Sequence, residues 1–152
     1  MKKLIVAMCA IAAVYSASAQ EAAPKQEEGF NFTITKELPI TSVKNQHRAG
    51  TCWCYSTLGF LEAELLRMGK PEYDLSEMWI VRNCYLDKVE RFVRYHATCE
   101  LAGGGGVVDV PYVAENYGLL PEEAYRGLEY GYDKHNHNEF DHVMRTFGEA
   151  IA

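Results

Sequence analysis

The chain has no apolar run as long as the about 20 residues that a membrane-spanning helix requires; its longest, from Leu4 to Tyr15, stops short. No stable membrane anchor is expected. Positive charge is also scarce, with 15 Lys and Arg against 21 Asp and Glu, a formal charge of −6 and no basic stripe. That balance excludes nucleic acid as a partner. The one low-complexity segment, Gly103 to Gly106, lacks the Lys-Ser or Lys-Thr that closes a phosphate-binding loop, because Val107-Val108-Asp109 follows it. At 152 residues, less a leader, the chain is one domain at most.

The leader is legible. Met1-Lys2-Lys3, the apolar stretch after it and the small residues Ala17-Ser18-Ala19 form a signal peptide over residues 1–19, cut after Ala19, so the product is expected to be exported, periplasmic or secreted. Its removal takes two lysines and no acid and moves the formal charge from −6 to −8. Residues 20–29, rich in Glu, Gln, Ala and Lys, have little to bury and read as a disordered leader. Of the 5 cysteines, Cys9 leaves with the signal peptide, and Cys52, Cys54, Cys84 and Cys99 remain. An oxidising compartment permits a Cys84–Cys99 bridge; buried free thiols are the alternative.

Residues 30–152 are expected to form one partial domain of α+β class. Phe30 to Lys36 alternates apolar and polar residues as a short strand does, and Leu38-Pro39-Ile40 continues extended. A helix from Cys52 to about Met68 sets Leu58, Leu61 and Leu65 on one face and ends at Gly69 before Pro71. Ser76 is placed to cap a second helix, which runs to about His96. Asp109 opens a third, through Pro111 to Asn116, stopped by Gly118. Asn138 to Ala152 is read as a fourth, with Phe140, Val143, Met144 and Phe147 on one face.

The run Gln46-His47-Arg48-Ala49-Gly50-Thr51-Cys52-Trp53-Cys54-Tyr55-Ser56 carries chemistry. It sets Cys52 between a glycine turn and an apolar helix that Thr51 is placed to cap, where first-turn N–H groups favour a thiolate. The Gln46 amide and the Cys52 N–H supply two donors for the oxyanion of an acyl-transfer intermediate. A buried structural cysteine accounts for none of this pattern. The histidines His135, His137 and His142 lie among acids, but Cys52 and Cys54 diverge by roughly 200° around a helix and share no ion. No metal and no other cofactor is assigned, and Lys134 to His142 reads as a solvated polar connector.

These residues resemble the papain family of cysteine peptidases, on Gln46, Gly50, Cys52, Trp53 and Ser56. Leu75-Ser76-Glu77, Asp87-Lys88-Val89-Glu90-Arg91, the glycine run with Asp109, and Asn116-Tyr117-Gly118 are similar to the bleomycin hydrolase (aminopeptidase C) branch, as is Ala49 where many secreted relatives carry a disulfide cysteine. The resemblance implies Cys52 as nucleophile, Gln46 in the oxyanion hole, Gly105 and Gly106 aligning the substrate backbone, and Trp53 beside the cleft. The implied substrate is a peptide.

The resemblance also implies a histidine base and an orienting Asn, on a second, strand-rich lobe roughly 130 to 150 residues after the cysteine in papain itself. Neither His47 nor His96 matches that base. The chain therefore reads as the nucleophile-bearing lobe, with the C-terminal lobe carrying His and Asn as its missing partner and inactive alone. A second reading is a non-catalytic lobe that binds peptides or a partner beside Trp53. In either, an uncovered apolar face favours association, including a homo-oligomer.

Overall fold

The computed structural model describes residues 29, 30 and 32–152. The expected signal peptide and all but the end of the expected leader lie outside the described residues. The chain divides into two units, residues 1–36 and 37–152. In the first, the Phe30 and Phe32 rings lie 6.2 Å apart and both side chains are exposed. The strand expected there is not formed among the described residues. An extended segment becomes a strand only when a neighbour takes its N–H and C=O groups.

The second unit holds four helices: α1 Cys52–Arg67, α2 Glu77–Arg94, α3 Asp109–Tyr117 and α4 Asn138–Ile151, with a 3-10 turn Glu122–Ala124 before α4. Strand pairing among the described residues is confined to two isolated bridges, Arg48 with Asn136 and Leu75 with Pro121. The strand half of the expected α+β class is therefore not seen among the described residues, which are mainly helical.

Local chemistry sets the helix ends. α1 stops at Gly69, which adopts φ 73, a left-handed conformation that costs glycine little. α2 begins where Ser76 Oγ accepts the Trp79 N–H at 3.0 Å, as a capping serine should. Thr51 departs from expectation. Its hydroxyl makes no cap bond and is buried without a partner, while its carbonyl accepts from Cys54 N at 2.9 Å and Tyr55 N at 3.4 Å.

α2 is the hub, packing against α1, α3 and α4. Ile80, Val81, Cys84, Tyr85 and Phe92 recur at helical spacing along its buried face and meet Trp53, Cys54 and Leu58 of α1 and Val110 and Val113 of α3. α4 approaches through Gly148, where a Cβ would lie 2.8 Å from the Phe92 ring. The four-residue face expected of α4 is only partly used. Phe140 meets Tyr85 edge-on at 4.9 Å and Met144 packs on the core, whereas Val143 and Phe147 are exposed.

The segment before α1 is joined to this core by charge. Glu62, 1% exposed, accepts from Thr41 Oγ1 at 2.7 Å and from Leu75 N at 2.8 Å. Lys44 Nζ lies 2.9 Å from Glu77, 2.6 Å from Asp74 and 3.6 Å from Glu62, and donates to the Leu75 carbonyl. Burial opposes the Lys44 charge, yet these carboxylates outweigh it and raise its pKa. One ammonium is thus shared by three carboxylates, two of them buried, so the cluster keeps a net negative charge when all are ionised.

Candidate active site

Cys52 is the first residue of α1 and is exposed. Its first-turn N–H has no carbonyl one turn earlier to accept it. The preceding turn is tight: Ala49 N donates to Gln46 O at 3.1 Å, His47 takes φ 51 and Gly50 takes φ 68. His47 is a non-glycine residue in the left-handed region, where backbone strain gathers at functional loops. Its N–H is compensated by Asn45 Oδ1 at 2.8 Å.

Gln46 is fixed within that turn. Its Oε1 accepts the Thr51 N–H at 2.7 Å, so the amide oxygen is committed and the NH2 end is the one left to donate. Gln46 and Cys52 both line a groove of about 460 Å³ whose other walls include Thr41, Tyr55, Ser56 and Gly59. The turn itself is held from outside. Arg48 N donates to His135 O at 3.0 Å, and His137 N donates to Arg48 O at 3.1 Å.

The glycine run lies against the same turn and the head of α1. A Cβ at Gly103 would stand 2.7 Å from Ala49 O, and one at Gly105 2.5 Å from the Trp53 ring. Only glycine permits either approach. Trp53, expected beside the cleft, is 9% exposed, and its Nε1 donates to Gly103 O at 2.9 Å. The indole is thus the floor under the run. A Cβ at Gly106 would make only ordinary contacts, 3.9 Å from Val108 and 4.0 Å from Asp109, but its N–H goes to Asp109 Oδ2 at 2.7 Å and its carbonyl accepts from Asp109 N at 3.0 Å.

The structure sets Cys52 and Gln46 in one groove and rests the glycine run on Trp53, the residue after Cys52, while Gly105 lines a separate groove with Lys88 and Asp109. It does not bring a histidine to them: none lines the groove of Cys52 among the described residues. His96 Nδ1 faces the Ala152 carbonyl at 2.9 Å. His135, expected in a solvated connector, is instead 7% exposed, and its Nδ1, like that of His137, is buried without a partner. Burial lowers the pKa of both rings. Their place is below the turn, at the Arg48 bridge.

The other thiols are set apart from Cys52. Cys54 is buried with Sγ 3.5 Å from Glu77 O, and burial raises its pKa strongly. Burial, then the Asp109 charge, pushes Cys84 up to about 11. Cys84 and Cys99 are both free, so the bridge considered from the sequence is not formed. No group of three or more His, Cys, Asp or Glu among the described residues is arranged to hold a metal.

Lys88, named from the sequence only within the Asp87–Arg91 motif and given no role there, contacts both Trp53 and the glycine run. Its signal was the spacing: Lys88 follows Cys84 by four residues and Tyr85 by three, on the buried face of α2.

The chain matches the family described as papain family cysteine protease over residues 28–148. It is 37% identical over 89 residues to procathepsin L of Mus musculus, covering 57% of this chain and 23% of that protein. It is 35% identical over 86 residues to cathepsin L2 of Homo sapiens, again 57% and 23%. To a viral cathepsin of the Choristoneura fumiferana defective polyhedrosis virus it is 32% identical over 97 residues, 61% of this chain and 30% of that protein. The matched stretch spans less than a third of each of these relatives.

Proposed function

The chain belongs to the papain family of cysteine proteases, and from that premise we propose that it supplies the nucleophile and oxyanion donors of a cysteine peptidase. The supporting observation is the Gln46–Thr51 hydrogen bond, which commits the amide oxygen and leaves the NH2 to donate in a groove shared with Cys52. Cys52 Sγ attacks the scissile carbonyl carbon, forming a C–S bond. The resulting oxyanion takes hydrogen bonds from Gln46 Nε2–H and Cys52 N–H. Collapse breaks the C–N bond and expels the amine with the proton that the thiol gave to a histidine; water then cleaves the thioester, releasing the carboxylic acid and restoring the thiol.

That histidine and its Asn belong to the C-terminal lobe that the family resemblance implies, the partner of this one. Gly105 and Gly106 align the substrate backbone, and Trp53 acts from beneath them rather than by touching the peptide. The finer placing, an aminopeptidase of the bleomycin hydrolase branch, rests on Leu75-Ser76-Glu77, Asp87-Lys88-Val89-Glu90-Arg91 and Asn116-Tyr117-Gly118. Export to the periplasm or medium rests on residues 1–19. Association, with the second lobe or a second copy, is supported by the exposed Phe60 of α1, which stays 62% accessible.

An activated peptidyl p-nitrophenyl ester tests the reading without needing a histidine to protonate the leaving group, because p-nitrophenolate leaves unprotonated. A thioester at Cys52, absent in Cys52→Ala and slowed in Gln46→Ala, is the expected result. Acylation unaffected by Gln46→Ala would leave the alternative, a lobe that binds peptide without chemistry. Faster acylation by esters with a free α-amino group than by N-blocked ones supports the aminopeptidase placing; the reverse order argues against it.

A further inference from the structure

A half-buried lysine normally has a carboxylate beside it. Lys88, in the middle of α2, makes no ion pair among the described residues. Burial lowers its pKa, outweighing Cys84, Asp109 and Asp141, which lie near enough to favour its charge. Its ammonium is spent on backbone. Nζ donates to Ala102 O at 3.1 Å and to Gly104 O, and sits 5.9 Å from the Trp53 ring centroid and 5.5 Å from that of Tyr85. The carbonyl between those two, Gly103 O, is taken by Trp53 Nε1. Three successive carbonyls, that of Ala102 and the first two of the glycine run, are therefore held by donors from α1 and α2.

The run needs that restraint. Consecutive glycines lose more conformational freedom on ordering than any other residues, and no disulfide ties this run down, since Cys52, Cys54, Cys84 and Cys99 are all free. Hydrogen bonds from an ammonium to carbonyls are charge-assisted and roughly twice as strong as neutral ones. A cation above the indole adds attraction to the ring on which Gly105 rests.

We propose that Lys88 is a positioning residue for the substrate edge: it holds the Ala102 and Gly104 carbonyls and so sets where Gly105 and Gly106 lie against Trp53, the residue that follows Cys52 in α1. It touches no substrate itself. This inference rests on the reading of Gly105 and Gly106 as the edge that aligns a peptide.

The test uses the full chain as wild type, Lys88→Met and Lys88→Arg, with two readouts. Amide hydrogen exchange at Gly106, whose N–H is bonded to Asp109 Oδ2, is expected to quicken at least ten-fold in Lys88→Met, with α1 unchanged, and to recover in Lys88→Arg, whose fork still reaches two carbonyls. Unchanged exchange overturns the proposal whatever the reactivity of Cys52. The second readout is the Cys52 labelling rate with a peptidyl chloromethyl ketone, which needs the glycine edge, relative to iodoacetamide, which does not. That ratio is expected to fall at least ten-fold in Lys88→Met while the iodoacetamide rate stays within two-fold. A ratio that holds despite faster glycine exchange overturns the positioning role alone, as does an equal fall in both rates. A wild-type chain with no preference for the peptidyl reagent overturns the peptidase reading, and this inference with it.

Discussion

The side-chain oxygen of Gln46 accepts the backbone N–H of Thr51 at 2.7 Å, across the turn that leads into α1. A glutamine is symmetric in shape but not in chemistry, and this bond decides which end faces the groove. Gln46→Ala removes the donor and is expected to slow acylation of Cys52 by about 10²- to 10³-fold. Gln46→Glu, which offers no donor when ionised, should be no better. Stopped-flow release of p-nitrophenolate reads both, with iodoacetamide labelling as the control for thiol access.

Gly105 and Gly104 are neighbours with opposite surroundings. A Cβ at Gly105 would stand 2.5 Å from the Trp53 ring, whereas one at Gly104 meets nothing within 4 Å. Gly105→Ala is expected to destabilise by about 1–3 kcal/mol, as overpacking does, and Gly104→Ala to leave Tm nearly unchanged. Thermal unfolding of the two variants checks the contrast.

Among the described residues, Lys44 is the one cation paired with both Glu62 and Glu77, which are 1% and 3% exposed. Lys44→Met strands both carboxylates in the interior and is expected to cost about 3 kcal/mol or more. Combining Lys44→Met with Glu62→Gln and Glu77→Gln should recover much of that loss, because the uncompensated charges go with the cation. Urea unfolding at neutral pH measures both the single and the triple variant.

Glu122 has a pKa raised to about 7 by burial and then by the Glu77 charge, and its Oε2 is buried without a partner. The folded state thus holds a proton that the unfolded chain releases near the usual carboxylate value, so Glu122 lowers stability as pH rises from about 4.5 to 7. Glu122→Gln is expected to raise Tm at pH 8 and to change it little at pH 4.5. Equal effects at both would contradict this assignment.

His135 and His137 carry the opposite sign. Burial depresses both rings, so the unfolded chain takes up protons first, and stability is lost as pH falls below about 6.5. Their backbones hold Arg48 in the turn before Cys52. His135→Gln with His137→Gln should flatten the acid limb of the stability profile, read by unfolding between pH 7 and 5.

Much of this arrangement is legible in the residues. Periodicity and caps place the four helices within a few residues, because Ser76, Gly69 and Gly118 signal their ends by local chemistry. The placing of Gln46 beside Cys52 follows from spacing in a tight turn. Long-range partners are not local properties. Trp53 looks like a cleft residue until the glycine run is seen resting on it, and His135 looks solvated until Arg48 is found bonded across it. Thr51 is the type of residue that caps helices, yet Gln46 takes its N–H and its hydroxyl is left without a partner.

The most direct measurement is intact and peptide mass spectrometry of the wild-type chain after a single exposure to the peptidyl p-nitrophenyl ester, with Cys54, Cys84 and Cys99 as internal controls. One thioester, at Cys52 alone and much slower to form in Gln46→Ala, is the expected result. Acyl groups shared with Cys99, or formed at the same rate without the Gln46 amide, would contradict the assignment of Cys52 and Gln46 as nucleophile and oxyanion donor.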